Sequence, residues 1–129
     1  MARPFRILVV EDEPVIRELV SSLLVDSTCE VETAETGAEG LKLASGREYD
    51  LVLLDVVLPA AGAVDLDGVA VCRLLRADPR LAAVPIYMLT AKARQADVDA
   101  AMRAGASGYI HKPFKATELV ALVGQLRAS

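Results

Sequence analysis

The sequence predicts an α/β fold: a doubly wound, five-stranded parallel sheet with helices on both faces. Three observations predict it. Short apolar runs alternate five times with longer stretches of helical periodicity, the pattern of a parallel sheet whose crossovers are helices. Three of the runs, "ILVV", "LVLL" and "IYML", are continuously apolar, as strands covered on both faces are. The other two read as edges, because "CEVETAE" alternates apolar with polar residues and "GYIHK" is short. With right-handed crossovers these constraints give the strand order 2-1-3-4-5. Residues 1–129 fit a single domain, long enough for one sizeable core.

Each element has its own signal. The first strand is "FRILVV", residues 5–10. A helix follows over 13–26, with Val15, Ile16, Leu19, Val20, Leu23 and Leu24 at helical spacing and Pro14 suited to the first turn. The second strand, 29–35, sets Cys29, Val31 and Thr33 against Glu30 and Glu32. The second helix, 36–47, opens on Thr36 with Glu39 three residues later, the spacing of a capping box. The third strand is 49–55, and no helical pattern resumes until about Asp67. The third helix spans 67–79, with Val71, Cys72 and Leu75 on one face. The fourth strand is 84–90, and the fourth helix covers 93–106, stopping near Gly105. The short fifth strand, 108–112, leads into a last helix over 115–128 with Leu119, Leu122, Val123 and Leu126 on one stripe.

In such a sheet, ligands bind beyond the carboxyl ends of the strands, at the switch point between the first and third. The residues at those ends are Glu11 and Asp12 after the first strand, Asp55 at the end of the third, Thr90 at the end of the fourth and Lys112 at the end of the fifth. Three carboxylates would thus meet at the switch point. At about 4 Å and an effective dielectric near 20, each like-charged pair costs roughly 4 kcal/mol. Either their pKa values rise or a cation joins them. A hard divalent ion such as Mg²⁺ suits an all-oxygen set. The charges then balance: minus three from the carboxylates, plus two from the metal, plus one from Lys112. A carboxylate beside a metal, an ammonium and a hydroxyl has the parts to accept a phosphoryl group. Taken singly, Asp12 also suits an N-cap of the first helix and Thr90 an N-cap of the fourth, Lys112 a solvated lysine and Tyr109 an edge aromatic. Only the chemical reading explains why these groups share one rim.

Composition narrows the classes further. The chain is 53% hydrophobic and 25% charged with a net charge of −4, which argues against direct nucleic-acid binding through the bulk field. Cys29 and Cys72 lie far apart among apolar neighbours and read as buried free thiols, the state expected in a reducing cytoplasm. The first apolar run is interrupted by Glu11, Asp12 and Glu13, so it is neither a signal peptide nor a membrane span.

The motifs "ILVVEDEP", "DLVLLDVVLP", "MLTA" and "GASGYIHKPF" together resemble the receiver domain of two-component response regulators, over roughly residues 5–126. The resemblance implies the flavodoxin-like (βα)5 fold. It implies that Asp55 is the phosphoacceptor, taking its phosphoryl group from a histidine kinase or phosphotransfer protein with Mg²⁺ as cofactor. Asp12 matches a direct Mg²⁺ ligand, Glu11 a ligand through water, and Val57 a ligand through its backbone carbonyl. Thr90 matches the hydroxyl that swings to the phosphoryl group, Lys112 the lysine that pairs with it, and Tyr109 the aromatic whose rotamer follows Thr90. Such a domain catalyses its own phosphotransfer and dephosphorylation, turns over no separate substrate and switches the binding of a downstream protein. The sequence departs from the family in "PAAGAVDLDG", where several extra residues separate Pro59 from Asp67 and Gly68; long loops of this kind on a rigid scaffold are mobile and often functional. With no output domain after the last helix in these 129 residues, the expectation is either a stand-alone receiver or one cut from a longer protein.

Three rival readings are weaker. A phosphorylation-independent pseudo-receiver, acting only as an interaction module, would not need Glu11, Asp12, Asp55, Thr90 and Lys112 together. An aspartyl-phosphate hydrolase usually carries a second Asp two residues after its nucleophile, where this chain has Val57. A flavin-binding flavodoxin would need a phosphate-binding loop after the first strand, where this chain is acidic.

Overall fold

The computed structural model describes residues 3–26, 28–58, 66–91 and 94–128. Five strands, β1 (Phe5–Val10), β2 (Cys29–Ala34), β3 (Leu51–Asp55), β4 (Ile86–Ala91) and β5 (Gly108–Lys112), alternate with α1 (Pro14–Leu24), α2 (Gly37–Gly46), α3 (Gly68–Ala77), α4 (Gln95–Arg103) and α5 (Ala116–Ala128). The sheet is parallel throughout, in the order β2-β1-β3-β4-β5. Both predicted edge strands are at the edges. A short 3-10 turn at Pro79–Leu81 was not evident from the pattern; it forms where Asp78 accepts from the Arg80 N–H at 3.0 Å.

Side-chain alternation divides the core into two layers. Leu8, Val10, Val52, Leu54, Ile86 and Met88 pack with Val71, Cys72, Leu75 of α3 and Ala101 of α4. Ile7, Val9, Leu51, Leu53, Leu89 and Ile110 pack with Val20 and Leu24 of α1 and Leu119 and Val123 of α5. Burial on both faces accounts for the unbroken apolar runs of the central strands. Cys29 and Cys72 are both buried free thiols. In α1 the apolar pattern is broader than the buried stripe: Val20 and Leu24 are buried, whereas Val15 is 75% exposed and Leu19 46%. One face of a helix can touch only what lies beneath it, and among the described residues α1 lies over the sheet and α5.

The helix starts follow local chemistry. Thr36 accepts from the Glu39 N–H at 3.1 Å, as its spacing predicts. Asp67 accepts from the Ala70 N–H at 2.8 Å and so caps α3. Gly105 stands just past α4 with φ 111°, a left-handed conformation that suits glycine. The extra residues expected to form a mobile loop near 60–64 lie outside the described residues.

Candidate phosphoacceptor site

Strand register assembles the site. Val10 of β1 is level with Leu54 of β3, so Glu11 follows β1 beside Asp55. Asp55 is level with Leu89 of β4, and Thr90 is level with His111 of β5, one residue before Lys112. Alternation then sorts the groups. Glu11 continues the parity of Ile7 and Val9, Asp55 that of Leu51 and Leu53, and Lys112 that of Ile110, all on the α1/α5 side of the sheet. Thr90 continues the parity of Ile86 and Met88 on the opposite side.

Three polar side chains are buried at this rim: Glu11 (0% exposed), Asp55 (5%) and Thr90 (1%). The Lys112 ammonium donates to Glu11 Oε1 at 2.6 Å and to Asp55 Oδ2 at 3.2 Å, and lies 3.9 Å from Glu13. The other Asp55 oxygen, Oδ1, accepts from the Val57 N–H at 3.0 Å. Each oxygen of Asp55 thus has a donor. Glu11 does not fare as well: its Oε2 is buried without a hydrogen-bond partner. Burial, and then the neighbouring Asp55 carboxylate, push the Glu11 carboxyl from 4.5 up to about 8, with Lys112 pulling the other way. Burial alone lowers the Lys112 pKa, but its hydrogen bond to Glu11 and the charge of Asp55 outweigh that, and the net shift is upward.

One oxygen each from Glu11, Asp12 and Asp55 lie within 4.8 Å of one another. This set fits a hard divalent cation: the donors are all carboxylate oxygens, one buried oxygen is unpartnered, and Asp12 opens the cluster to solvent. The capping alternatives are not realised. Glu13, the residue before α1, makes no side-chain cap, and α4 is entered at Arg94 rather than Thr90. The Thr90 hydroxyl instead donates to the Ala91 carbonyl at 3.2 Å. Nor is Lys112 a solvated lysine, since its side chain is only 16% exposed.

This arrangement is matched by sequence. Residues 7–124 match the family model described as the response regulator receiver domain. The chain belongs to the response regulator receiver family. It is 42% identical over 118 residues to the DNA-binding response regulator MtrA of Mycolicibacterium smegmatis, covering 92% of this chain and 48% of that protein. It is 39% identical over 121 residues to the DNA-binding dual master transcriptional regulator RpaA of a Synechocystis strain, covering 94% and 48%. The receiver therefore spans about half the length of the curated relatives it matches. Among solved structures, chemotaxis response regulator CheY4 of Vibrio cholerae superposes with a TM-score of 0.84 at 29% identity, covering 95% of this chain and 98% of that one. The signal receiver domain of a histidine kinase from Syntrophus aciditrophicus gives 0.84 at 31% identity, covering 96% and 90%. This is a receiver domain of the two-component class, a phosphoacceptor module. Receiver domains typically bind Mg²⁺, and the acidic cluster such binding needs is present. No described helix is long and apolar enough to cross a membrane.

Of the expected site residues, Glu11, Asp12, Asp55 and Lys112 come together, with Val57 joined through its N–H and Thr90 buried one residue beyond the level of Asp55. Tyr109 stands apart, 44% exposed, its ring edge-on to His111 with centroids 5.1 Å apart. Two contributors were not recognised from sequence. Gly68 packs its Cα against the Asp55 carbonyl and the Val56 backbone; the Asp67–Gly68 pair was its signal. Arg17 donates to the carbonyls that follow β1; its signal was a basic residue in a first helical turn, where the helix dipole disfavours one.

Proposed function

We propose that Asp55 is the phosphoacceptor of this receiver, that Glu11, Asp12, Asp55 and the Val57 carbonyl hold Mg²⁺, and that Thr90, Lys112 and Tyr109 carry the response. The observation that supports this best is the setting of Asp55. Its carboxylate is almost enclosed, held at one oxygen by Val57 N–H and at the other by Lys112, within a cluster of three carboxylates.

An Asp55 oxygen attacks phosphorus. The P–N bond of a kinase phosphohistidine breaks, and the leaving imidazole keeps the electron pair, so an acyl phosphate forms with no net change in proton count on Asp55. Mg²⁺, when bound, neutralises the charge spread over the transferring phosphoryl oxygens. The Lys112 ammonium, already 3.2 Å from Asp55 Oδ2, passes to the new phosphoryl oxygens. The Thr90 hydroxyl leaves the Ala91 carbonyl for the phosphoryl group, and the Tyr109 ring takes the space that opens. The phosphodonor is a histidine kinase or phosphotransfer protein in the cytoplasm, and the output is altered affinity for a downstream protein.

Acetyl phosphate tests the assignment. Intact mass should rise by one phosphoryl unit in the presence of Mg²⁺ and not with EDTA, and Asp55→Asn should gain nothing. Labelling that persists in Asp55→Asn, or that ignores EDTA, would sink it.

A further inference from the structure

Arg17 lies in the first turn of α1, yet its side chain is mostly buried, 16% exposed. Its bonds run back to the loop that carries the acidic pair. Nη1 donates to the Glu11 carbonyl at 2.9 Å and to the Asp12 carbonyl at 3.0 Å. Its backbone N–H donates to the Glu13 carbonyl at 3.1 Å. Three consecutive carbonyls thus end on one residue. Nη2 is anchored from outside by Glu35 Oε1 at 3.2 Å. Among the described residues, nothing donates a hydrogen bond to the Asp12 carboxylate, and what holds Asp12 there is its main chain.

We propose that Arg17 is a positioning residue that sets the Mg²⁺ affinity of the site by clamping the backbone of Glu11 and Asp12. This rests on the metal assignment above. The carboxylates of Glu11, Asp12 and Asp55 repel one another; Glu11 is held by its N–H on the Ala34 carbonyl at 3.0 Å and by Lys112, so it is at Asp12 that the connection from β1 to α1 can relax away from Asp55 unless it is tied. The planar guanidinium holds both carbonyls through Nη1 and Glu35 through Nη2, a two-nitrogen grip that a single ammonium cannot reproduce in the same geometry. Charge and anchoring act in opposite directions here. A positive charge near a cation site weakens cation binding, whereas holding two ligands in place strengthens it. Removing Arg17 therefore tightens Mg²⁺ binding if only its charge matters and weakens it if it is a clamp.

The test is Mg²⁺ titration by calorimetry and by amide shifts, alongside acetyl phosphate labelling rates at limiting and saturating Mg²⁺. Arg17→Gln should weaken Mg²⁺ binding about tenfold, the usual scale for loss of a group that orients a metal ligand, with the labelling rate at saturating Mg²⁺ close to wild type. Arg17→Lys keeps the charge and should recover only part of the affinity. Glu35→Gln, which removes the exposed outer anchor, should shift affinity in the same direction by a smaller factor, and it decides the matter if Arg17→Gln does not fold. Unchanged or tighter binding in Arg17→Gln, full recovery in Arg17→Lys, or wild-type affinity in Glu35→Gln overturns the clamp. Asp12→Asn separates the two levels. If it binds Mg²⁺ like wild type, the metal assignment falls and the proposal with it; if it binds weakly while Arg17→Gln binds normally, only the role of Arg17 falls.

Discussion

At the residue scale, Glu11 is electrostatically strained. Its carboxyl is fully buried, one oxygen is unpartnered, and its pKa is raised from 4.5 to about 8. A carboxyl whose folded-state pKa is raised binds its proton more tightly folded than unfolded. Its contribution to stability is complete below about 4.5 and is lost as pH rises towards 8. Without metal, thermal midpoints should therefore fall as pH increases across that window, and in Glu11→Gln that part of the slope should vanish. On the proposed metal assignment binding needs the ionised form, so Mg²⁺ should release a proton as it binds. Mg²⁺ affinity should climb by up to about tenfold per pH unit below pH 8 and level off above it. Calorimetry in buffers of different ionisation enthalpy measures the proton released. An affinity independent of pH between 6 and 8 would show that Glu11 is already ionised.

Among the elements, α3 packs its first residue directly on the backbone of Asp55. Its start is set twice, by the Asp67 cap and by Gly68, whose N–H donates to the Val56 carbonyl at 2.9 Å. A Cβ on Gly68 would strike the Asp55 carbonyl oxygen and come within 2.7 Å of Val56 Cα. Both obstacles are backbone, so no side chain can move to relieve them. Gly68→Ala should cost about 2–3 kcal/mol of unfolding free energy, read from urea denaturation. It should also slow acetyl phosphate labelling, because α3 can accommodate the methyl only by displacing Asp55. Asp67→Ala removes the cap alone and should cost about 1 kcal/mol with labelling nearly intact.

At the scale of the whole molecule, the sheet separates the proposed acceptor from the residues proposed to carry the response. Glu11, Asp55 and Lys112 follow the α1/α5 side, and Thr90 follows the side covered by α3 and α4. Tyr109 has the parity opposite to Ile110, and its ring is exposed against His111. On the proposed route a signal from Asp55 reaches Tyr109 by crossing the sheet at Thr90, and a buried hydroxyl with two possible acceptors is a two-state element a phosphoryl group can bias. Beryllofluoride, a phosphoryl mimic, should shift amides in residues 98–120 of the wild type. In Thr90→Ala the shifts should stay near Asp55. Shifts that reach 98–120 equally in Thr90→Ala would remove Thr90 from the route.

The alternation of strands and helices, the strand order and the five polar residues on the rim were legible in the sequence. Periodicity and residue type are local, and a parallel sheet turns them into position by rule: a carboxylate at the end of a buried strand has nowhere to go but the rim. What only the tertiary structure decided depends on groups far apart in the chain or on the path of the backbone. The pattern of α1 did not distinguish the buried Val20 and Leu24 from the exposed Val15 and Leu19, because that depends on what lies beneath each face. Arg76, unremarkable in sequence, donates to the Gly105 carbonyl at 2.7 Å, the Val84 carbonyl at 2.6 Å and the Ser107 hydroxyl at 3.1 Å, tying α3 to the segments before β4 and β5. Arg17 and Gly68 act in the same way, one on carbonyls and the other on backbone packing. Backbone carbonyls carry no residue identity, so the partner of a side chain that binds them is written only in the folded path of the chain.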